Sequence, residues 1–316
     1  MSIRKSNLDR LLAQDGPIIL DGGLGSELDR RGYDISTPLW SAELLMNNPQ
    51  AIKDIHRAYL DAGAQCITSA SYQASIAGFG AMGLSPERAR ELFVKSVDLA
   101  KSAVDEFLQH KPDCGYQPLV AASIGPYGAY LADGSEYSGD YGVNDATLLE
   151  FHQQRLLWLD AAGADVLACE TIPSLQEARV LRQLLEKVNT PAWISFSCQD
   201  ERYLNDGSML RQAVALFEQL PGVVAIGVNC TAPQYIQSLI GEIKAASWTR
   251  AIVVYPNSGE HYDADDKAWH GTETPLECAV AARGWYQAGA KIIGGCCRMG
   301  PAHVREIATE LNADKQ

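Results

Sequence analysis

The hydrophobic pattern of the chain alternates short apolar segments, rich in β-branched residues, with longer amphipathic segments. Short apolar runs indicate buried strands, and longer runs of helical period indicate helices. The pattern predicts eight strand-then-helix units. The predicted strands are 17–21, 65–70, 119–124, 164–170, 192–197, 223–230, 251–257 and 290–297, and the predicted helices include 49–62, 86–108, 145–162, 175–188, 233–246, 276–288 and 301–311.

Three predicted helices end in a similar Ala-Gly-Ala phrase that leads directly into a strand. The phrases lie at 61–64, 162–165 and 288–291. A glycine at this position supplies the left-handed residue that ends a helix. Repeated units of this kind, with strands that are apolar along their length, indicate a parallel sheet buried on both faces.

Eight such units favour an α/β fold of the (β/α)₈ TIM barrel type over a doubly wound sheet. The doubly wound alternative lacks a phosphate loop, because Leu28 stands where a third glycine after Gly23 and Gly25 is needed, and no GxxxxGK[ST] occurs. No linker divides the chain. We therefore expect one domain over 1–316, with its core at about 15–311 and long loops after strands 1, 3 and 7.

The charge balance argues against several classes of partner. Among 316 residues, 26 Lys and Arg face 39 Asp and Glu, which gives a net charge of −13. This charge repels nucleic acid and anionic membranes, so we expect neither as a partner. No apolar stretch approaches the ~20 residues of a membrane span, and the first residues lack the apolar centre of a signal peptide. We expect a cytoplasmic protein, in which clustered cysteines indicate metal or redox chemistry rather than disulfides.

Polar residues accumulate at the ends of the predicted strands, which is the edge where TIM barrels carry their active sites. A single residue of this kind is often only a helix cap. Polar residues at the ends of several strands together indicate a functional site. The residues are Asp21, Glu170, Asn229, Cys230, Asn257, Cys296 and Cys297.

The cysteines in this set predict a metal site. A turn at Gly294 and Gly295 can present Cys296 and Cys297 to one ion, and Cys230 can complete a three-sulfur site that suits zinc with an open fourth position. Two alternatives stay open at this point. The cysteines can be small buried hydrophobic residues, or the adjacent pair can be a redox pair or vicinal disulfide.

A zinc ion with three thiolates predicts activation of a thiol substrate. The centre carries a charge of about −1 and therefore suits a soft fourth ligand better than water. Coordination removes the proton of a thiol whose free pKa is ~8.5, so the thiolate is available at neutral pH. Asp21 and Glu170 can receive the ammonium of an amino acid, and N–H groups of the turn at 22–25 can bind its carboxylate. For each acid alone, a structural hydrogen bond is an equal alternative.

Several motifs resemble the homocysteine S-methyltransferase family from about residue 15 to residue 311. The pairing of GVNC with GGCC is highly specific, and the long motifs after strands 3 and 7 look closest to the branch that uses S-methylmethionine or, less efficiently, S-adenosylmethionine. The matching motifs are DGGLGSEL (21–28), LWSAELLMNNP (39–49), AGAQCITSASYQA (62–74), SIGPYGAYLADGSEYSGDY (123–141), ACET (168–171), GVNC (227–230), YPNSGEHYD (255–263) and GGCCR (294–298).

The resemblance implies a TIM barrel, zinc ligands and a homocysteine site. The zinc ligands of the family fall on Cys230, Cys296 and Cys297. Asn229, next to Cys230, joins the substrate-binding candidates. The homocysteine contacts that the family implies fall on Asp21, Gly22, Gly23, Ser69 and Glu170.

The donor side is predicted to be aromatic. Trp40 matches a tryptophan that lines the donor side in relatives, and the segment 127–141, which includes Tyr130, interleaves four tyrosines with three acids. Thiolate attack on a sulfonium methyl destroys both charges, so an aromatic and partly dry pocket favours the reaction. Together with 256–275, this segment can form a lid. The alternative is an ordinary solvated surface loop.

The predicted function is therefore zinc-dependent methyl transfer from S-methylmethionine or S-adenosylmethionine to homocysteine, which yields methionine. Three alternatives stay open: a betaine-using relative, a relative that methylates selenocysteine, and a non-catalytic zinc or thiol sensor. The betaine branch usually carries a C-terminal dimerisation extension. Only 19 residues follow Cys297 here, so we expect a monomer rather than a homodimer.

Overall fold

The computed structural model describes residues 6–35, 41–259, 261–263, 268–270 and 274–313. Eight of its strands form one parallel sheet, and two further strands form a hairpin in the loop after the seventh strand of that sheet. The strands are β1 Ile18–Ile19, β2 Cys66–Thr68, β3 Leu119–Ile124, β4 Val166–Ile172, β5 Ala192–Phe196, β6 Val223–Asn229, β7 Ala251–Tyr255, β8 His261–Asp263, β9 Ala268–His270 and β10 Ile292–Ile293.

The parallel sheet closes on itself. Its strand order is β1-β10-β7-β6-β5-β4-β3-β2. The two ends of this order meet, because Leu20 forms a parallel bridge with Cys66 and the N–H of Asp21 donates to the Cys66 carbonyl over 3.0 Å. The prediction of a TIM barrel is confirmed. Strands β1 and β10 are shorter than predicted, since the chain leaves the sheet before the polar residues at their ends.

Helices follow the strands along the chain. All seven predicted helices are present, although 233–235 is a short 3₁₀ turn before its helix. The pattern missed the helices of five to seven residues, because two turns or fewer give too weak a period. The helices are α1 Asn7–Ala13, α2 Leu24–Arg30, α3 Ser41–Asn47, α4 Pro49–Asp61, α5 Ile76–Ala81, α6 Pro86–His110, α7 Tyr127–Leu131, α8 Asp145–Asp160, α9 Leu175–Leu185, α10 Leu210–Ala215, α11 Ile236–Ala245, α12 Pro275–Ala288 and α13 Pro301–Asn312.

The helix boundaries follow from local chemistry. Side chains of Ser85, Asn144 and Thr274 accept hydrogen bonds from the first turns of α6, α8 and α12. Gly289 after α12 has a φ of +115°, and the glycines of the two other Ala-Gly-Ala phrases also have positive φ. The predicted left-handed ends of these helices are therefore confirmed. No described helix is both long and apolar enough to cross a bilayer.

The core has two layers, one inside the barrel and one between the strands and the helices. Along β3, Leu119 and Ala121 point inward, whereas Val120, Ala122 and Ile124 pack outward against helices. Two leucines of α1, which precedes the first strand, belong to the inner layer. Trp193 near the start of β5 is also buried there. These side chains fill the amino end of the barrel, so the open space lies at the carboxyl end.

Gly227 is expected to be essential for the packing of β6 on β7. A Cβ atom at this position would lie 1.6 Å from the carbonyl oxygen of Val253, which is backbone and has little room to move. We expect Gly227→Ala to lower the free energy of unfolding by at least ~1–3 kcal/mol, the usual cost of overpacking. Urea unfolding followed by circular dichroism measures this change.

Gly241→Ala is the matched control for this measurement. Gly241 lies within α11, and a Cβ atom there would meet nothing within 4 Å. Because alanine favours a helix over glycine by ~1 kcal/mol, this variant is expected to be neutral or stabilised. Equal losses in both variants would contradict the assignment of a special role to Gly227.

Candidate metal centre and substrate cavity

Three cysteine sulfurs meet at the carboxyl end of the barrel. Cys230 directly follows β6, while Cys296 and Cys297 lie three and four residues after the end of β10. Their sulfur atoms all lie within 4.8 Å of one another, and the Sγ atoms of Cys230 and Cys297 are 3.6 Å apart. In the described part of the chain, no other group of His, Cys, Asp or Glu side chains meets as a possible metal site.

Backbone hydrogen bonds to the end of β7 hold both cysteine segments in place. The N–H of Cys230 donates to the Tyr255 carbonyl over 3.2 Å, and the N–H of Cys296 donates to the Pro256 carbonyl over 2.8 Å. Cys230 itself has a φ of +47°, a strained value for a non-glycine residue. The Cys230 backbone thus leaves strand geometry at the residue whose sulfur joins the cluster.

The glycine pair before Cys296 allows a close approach to the first strand. A Cβ on Gly294 would lie 2.5 Å from the Cβ of Leu20, and the N–H of Gly295 donates to the Asp21 carbonyl over 3.0 Å. The chain therefore turns out of the sheet here, as the Gly-Gly step predicted. The adjacent pair Cys296 and Cys297 forms no disulfide in this structure.

The three cysteine thiols of the cluster differ in the direction of their pKa shifts. Hydrogen bonds from the thiols of Cys230 and Cys296 lower the pKa of Cys297 well below its ordinary value. Tyr137 also reaches this group, with its hydroxyl 3.4 Å from the sulfur of Cys230. A cluster that already favours a thiolate suits a cation.

A cavity opens beside the three sulfurs, with an empty volume of about 820 Å³ that includes space open to solvent. No Lys, Arg or His is among the described residues that line it. The lining is acidic, hydroxylic and aromatic. Its members outside the cysteines include Asp21, Gly22, Gly23, Ser26, Thr68, Ser69, Tyr72, Gln73, Ser123, Glu136, Tyr137, Glu170 and Tyr255.

Two buried carboxyl groups stand in this cavity. Asp21 accepts hydrogen bonds from the N–H and hydroxyl of Thr68 over 2.7 and 3.0 Å, and Glu170 accepts one from the hydroxyl of Ser123. Burial raises the pKa of Asp21 to about 8, and the charge of Glu170 adds to this increase. Burial also raises the pKa of Glu170 to about 7. A cationic ligand between these groups would favour their charged forms.

The other predicted homocysteine contacts line the cavity, but some of their polar groups are already hydrogen-bonded within the protein. Ser69 lines the cavity, and its hydroxyl accepts the N–H of Ser123 over 3.1 Å. Gly22 and Gly23 also line it, but the N–H of Gly23 donates to the Met299 carbonyl over 3.1 Å. That N–H is therefore already used, contrary to the expectation that this turn offers it to a carboxylate.

Asn229 lies behind the cysteines instead of lining the cavity. Its Oδ1 accepts the N–H of Thr171 and the hydroxyl of Ser195, both over 2.7 Å, and its Nδ2 donates to the hydroxyl of Thr171 over 2.8 Å. The same Nδ2 faces the sulfur of Cys296 at 3.9 Å. Asn229 thus links the ends of β4 and β5 to the cysteine cluster and is not among the described residues that line the cavity, so its predicted substrate contact stays a prediction.

Among the described residues, the aromatic side chains that line the cavity do not include Tyr130. Tyr130 packs on Tyr127 and Phe151, with ring centroids 5.7 and 5.6 Å away, and does not line the cavity. Trp40 lies outside the described residues. Tyr72 and Tyr137 line the cavity instead. Tyr72 could have been found from the SASYQA motif, which directly follows the predicted second strand.

The segment 127–141 is anchored rather than loosely solvated. The buried carboxylate of Glu177 accepts the N–H of Tyr127 over 2.6 Å and the hydroxyl of Tyr141 over 2.9 Å, so it binds both ends of the segment. His152 contacts the same carboxylate at 2.7 Å. Gln73 also donates to the Ala129 carbonyl over 3.0 Å. The 256–275 half of the predicted lid lies partly outside the described residues.

Comparison with known families shows to which family this chain belongs. Residues 18–311 match the family model described as homocysteine S-methyltransferase. The chain belongs to the homocysteine S-methyltransferase family. The resemblance drawn from the GVNC and GGCC motifs, and with it the prediction of an enzyme of this family, is confirmed.

Curated members of the homocysteine S-methyltransferase family align over nearly the whole chain. Homocysteine S-methyltransferase YbgG of Bacillus subtilis is 47% identical over 294 residues, which covers 92% of this chain and 93% of the relative. The homocysteine S-methyltransferase of Escherichia coli is 45% identical and covers 95% and 97%. A selenocysteine Se-methyltransferase of Brassica oleracea is 42% identical and covers 94% and 89%.

One solved member of the family is a metallated form. The metallated form of the homocysteine methyltransferase MmuM from Escherichia coli matches with a TM-score of 0.86 and 41% identity, over 96% of this chain and 99% of that structure. A metallated relative and a cluster of three possible metal ligands here indicate a metal-dependent family member.

Proposed function

We propose that this enzyme transfers a methyl group from S-methylmethionine, or less efficiently from S-adenosylmethionine, to homocysteine, with zinc on Cys230, Cys296 and Cys297. The observation that carries the proposal is the convergence of these three sulfurs in the wall of a cavity that also holds two buried carboxyl groups. Each feature fits one part of homocysteine: the sulfurs fit a centre that receives its thiol, and the carboxyl groups fit its ammonium.

The cysteine cluster fits zinc. Two thiolates bound to zinc at ~2.3 Å in tetrahedral geometry lie ~3.8 Å apart. The 3.6 Å between the sulfurs of Cys230 and Cys297 is close to this value. Three protein ligands leave a fourth position, and bound zinc would supply the acidity that makes a thiol ligand a thiolate at neutral pH.

The carboxyl groups of Asp21 and Glu170 would bind the ammonium of homocysteine. Both are buried and line the cavity, and a cationic partner would offset the burial that raises their pKa values, so that they become charged. Ser123 and Thr68 hold the two carboxyl groups by hydrogen bonds, so they are oriented before substrate binds. This orientation fixes the direction in which the substrate thiol points.

The chemical step is a direct displacement. The homocysteine sulfur forms a bond to the methyl carbon while the bond from that carbon to the sulfonium sulfur breaks, and its electron pair stays on the leaving sulfur. One S-methylmethionine and one homocysteine thus give two methionines. No proton moves at the carbon, so no base is assigned. Tyr72 and Tyr137 would help to exclude water, which favours a step that neutralises two charges.

An acidic, aromatic cavity favours a cationic methyl donor. Since no described lining residue is basic, an anionic donor would meet only repulsion. Sulfonium donors and betaine both carry the required positive charge. The motif resemblance of segments 123–141 and 255–263 supports the sulfonium donors among them.

Methionine formation from each donor tests this proposal. Purified protein with bound metal is incubated with homocysteine and S-methylmethionine, S-adenosylmethionine or betaine, and methionine is measured by mass spectrometry. We expect the highest kcat/KM with S-methylmethionine and one zinc per chain by elemental analysis. Selenocysteine is tested as a second acceptor. Zinc and homocysteine binding without methionine formation from any donor would contradict the proposal and favour a sensor.

A further inference from the structure

Glu136 is a buried carboxylate in the cavity that the homocysteine site does not use. It lies in the short 3₁₀ turn Ser135–Tyr137, is only 6% exposed and lines the cavity. Its Oε2 atom is buried without any hydrogen-bond partner among the described residues. An unpaired buried carboxylate is costly to a folded protein, so such a group indicates a missing cationic partner.

The position of Glu136 is held by surrounding structure. A Cβ atom on Gly128 would lie 2.4 Å from the backbone nitrogen of Glu136, which shows how closely α7 packs on this turn. Glu177 binds Tyr127 and Tyr141, near the two ends of the segment that carries the turn. Glu136 is therefore a fixed wall of the cavity and not a side chain of a free loop.

Glu136 lies on a different segment from the two carboxyl groups of the proposed homocysteine site. Asp21 follows β1 and Glu170 lies in β4, whereas Glu136 belongs to the turn Ser135–Tyr137 after α7. The hydroxyl of the adjacent Tyr137 lies 3.4 Å from the sulfur of Cys230, so this turn reaches the cysteine cluster.

We propose that Glu136 binds the α-ammonium of the methyl donor, an inference that rests on the proposed function. A sulfonium donor of the amino-acid type carries two cationic groups. The sulfonium loses its charge in the transition state, so a carboxylate beside it would stabilise the ground state more and slow the reaction. The ammonium keeps its charge throughout. A carboxylate is therefore best placed on the ammonium, while aromatic rings face the sulfonium.

This assignment makes Glu136 a specificity-determining residue. Donors with both a sulfonium and an α-ammonium satisfy the buried carboxylate, whereas donors without the ammonium leave it unpaired. Because the contact is equal in the ground state and the transition state, its loss changes KM for the donor and leaves kcat nearly unchanged.

The test compares Glu136→Gln with wild type on two donors. One is S-methylmethionine, and the other is 4-(dimethylsulfonio)butanoate, which is the same molecule without the amino group. We expect the variant to raise KM for S-methylmethionine by about 10- to 100-fold, the range of a lost charged hydrogen bond. We expect KM for the amino-free donor, kcat and KM for homocysteine to stay within about threefold. An equal increase for both donors, or a larger effect on homocysteine, would overturn the inference.

Three further variants distinguish the effect of the Glu136 charge from the effect of the position of its turn. Glu136→Asp keeps the charge and is expected to recover part of the donor affinity. Gly128→Ala displaces the turn and is expected to raise KM for S-methylmethionine without removing the charge. Glu150→Gln changes an exposed acid of α8 outside the cavity and is expected to have no effect.

The wild-type protein separates failure of this inference from failure of the proposed function. If wild type forms methionine from S-methylmethionine and Glu136→Gln does so with unchanged KM, only the role of Glu136 is rejected. If wild type forms no methionine from either sulfonium, the proposed function is rejected and the inference falls with it.

Discussion

Replacement of Cys230, Cys296 or Cys297 by alanine is expected to abolish methionine formation and to reduce bound metal from one equivalent per chain to well below one. The three sulfurs form one cluster, so each loss leaves two ligands that hold the ion weakly. Loss of a residue that only hydrogen-bonds to a metal ligand costs ~10–100-fold in metal affinity or activity, so loss of a ligand itself is expected to exceed ~100-fold. Elemental analysis and the methionine assay measure the two effects.

Cys114→Ala is the control for these variants. Cys114 is half-buried after α6, and its thiol donates to the Tyr116 carbonyl, away from the cavity. It is expected to keep full activity and metal content. Full zinc occupancy in Cys230→Ala would contradict the metal site and leave the cysteines as ordinary buried hydrophobic residues.

Glu170→Gln and Asp21→Asn are expected to weaken homocysteine binding by ~1–3 kcal/mol each, which corresponds to roughly 5- to 150-fold in affinity. Each variant removes the negative charge that faces the substrate ammonium and keeps the shape of the side chain. Initial rates at varied homocysteine concentration, with the donor saturating, give the change. Glu242→Gln, which alters an acid paired with Arg211 away from the cavity, is the control.

The same carboxyl groups predict a pH dependence. The pKa values of Asp21 and Glu170 are raised to about 8 and about 7, so both are mainly charged only above pH 8. As the pH falls through 8 and then 7, each becomes protonated and loses its attraction for the ammonium. We expect kcat/KM for homocysteine, which reports the free enzyme, to fall in this range. Asp21→Asn is expected to remove the upper step, and an unchanged profile would argue against its role.

The fold was largely predictable because its evidence is repeated along the chain. Each strand is a short apolar run, and the glycine after α4, α8 and α12 marks the same left-handed turn. Strand ends were less predictable. The predicted strand over 290–297 extends beyond β10, because the close approach of Gly294 to Leu20 turns the chain away from the sheet. Such an approach depends on a neighbour far away in the sequence.

The site was predictable where the chemistry of one residue type decides its position. Cysteines at the ends of two strands of one sheet can meet, and Cys230 and Cys297 do. Asn229 and Tyr130 show the limit of this reasoning. The amide of Asn229 is saturated by Thr171 and Ser195, partners that only the folded barrel supplies.

The aromatic segment was misassigned for a geometric reason. Ala132 and Gly134 both have positive φ, of 54° and 84°, and they reverse the chain between Tyr130 and Tyr137. Tyr130 is therefore directed toward Phe151, while Tyr137 reaches Cys230. Composition identified the segment as aromatic and acidic, but it could not identify which tyrosine faces the cavity.

The separation of 67 positions from Cys230 to Cys297 has a consequence for the biosynthesis of the enzyme. Synthesis proceeds from the amino terminus, and β1 acquires its neighbour β10 only when nearly all of the chain has left the ribosome. A nascent chain that ends before residue 296 contains only Cys230 of the three cysteines. A single cysteine cannot form the three-sulfur site. Metal binding at the proposed site is therefore expected only after the ring of strands is complete, and incomplete polypeptides would lack it.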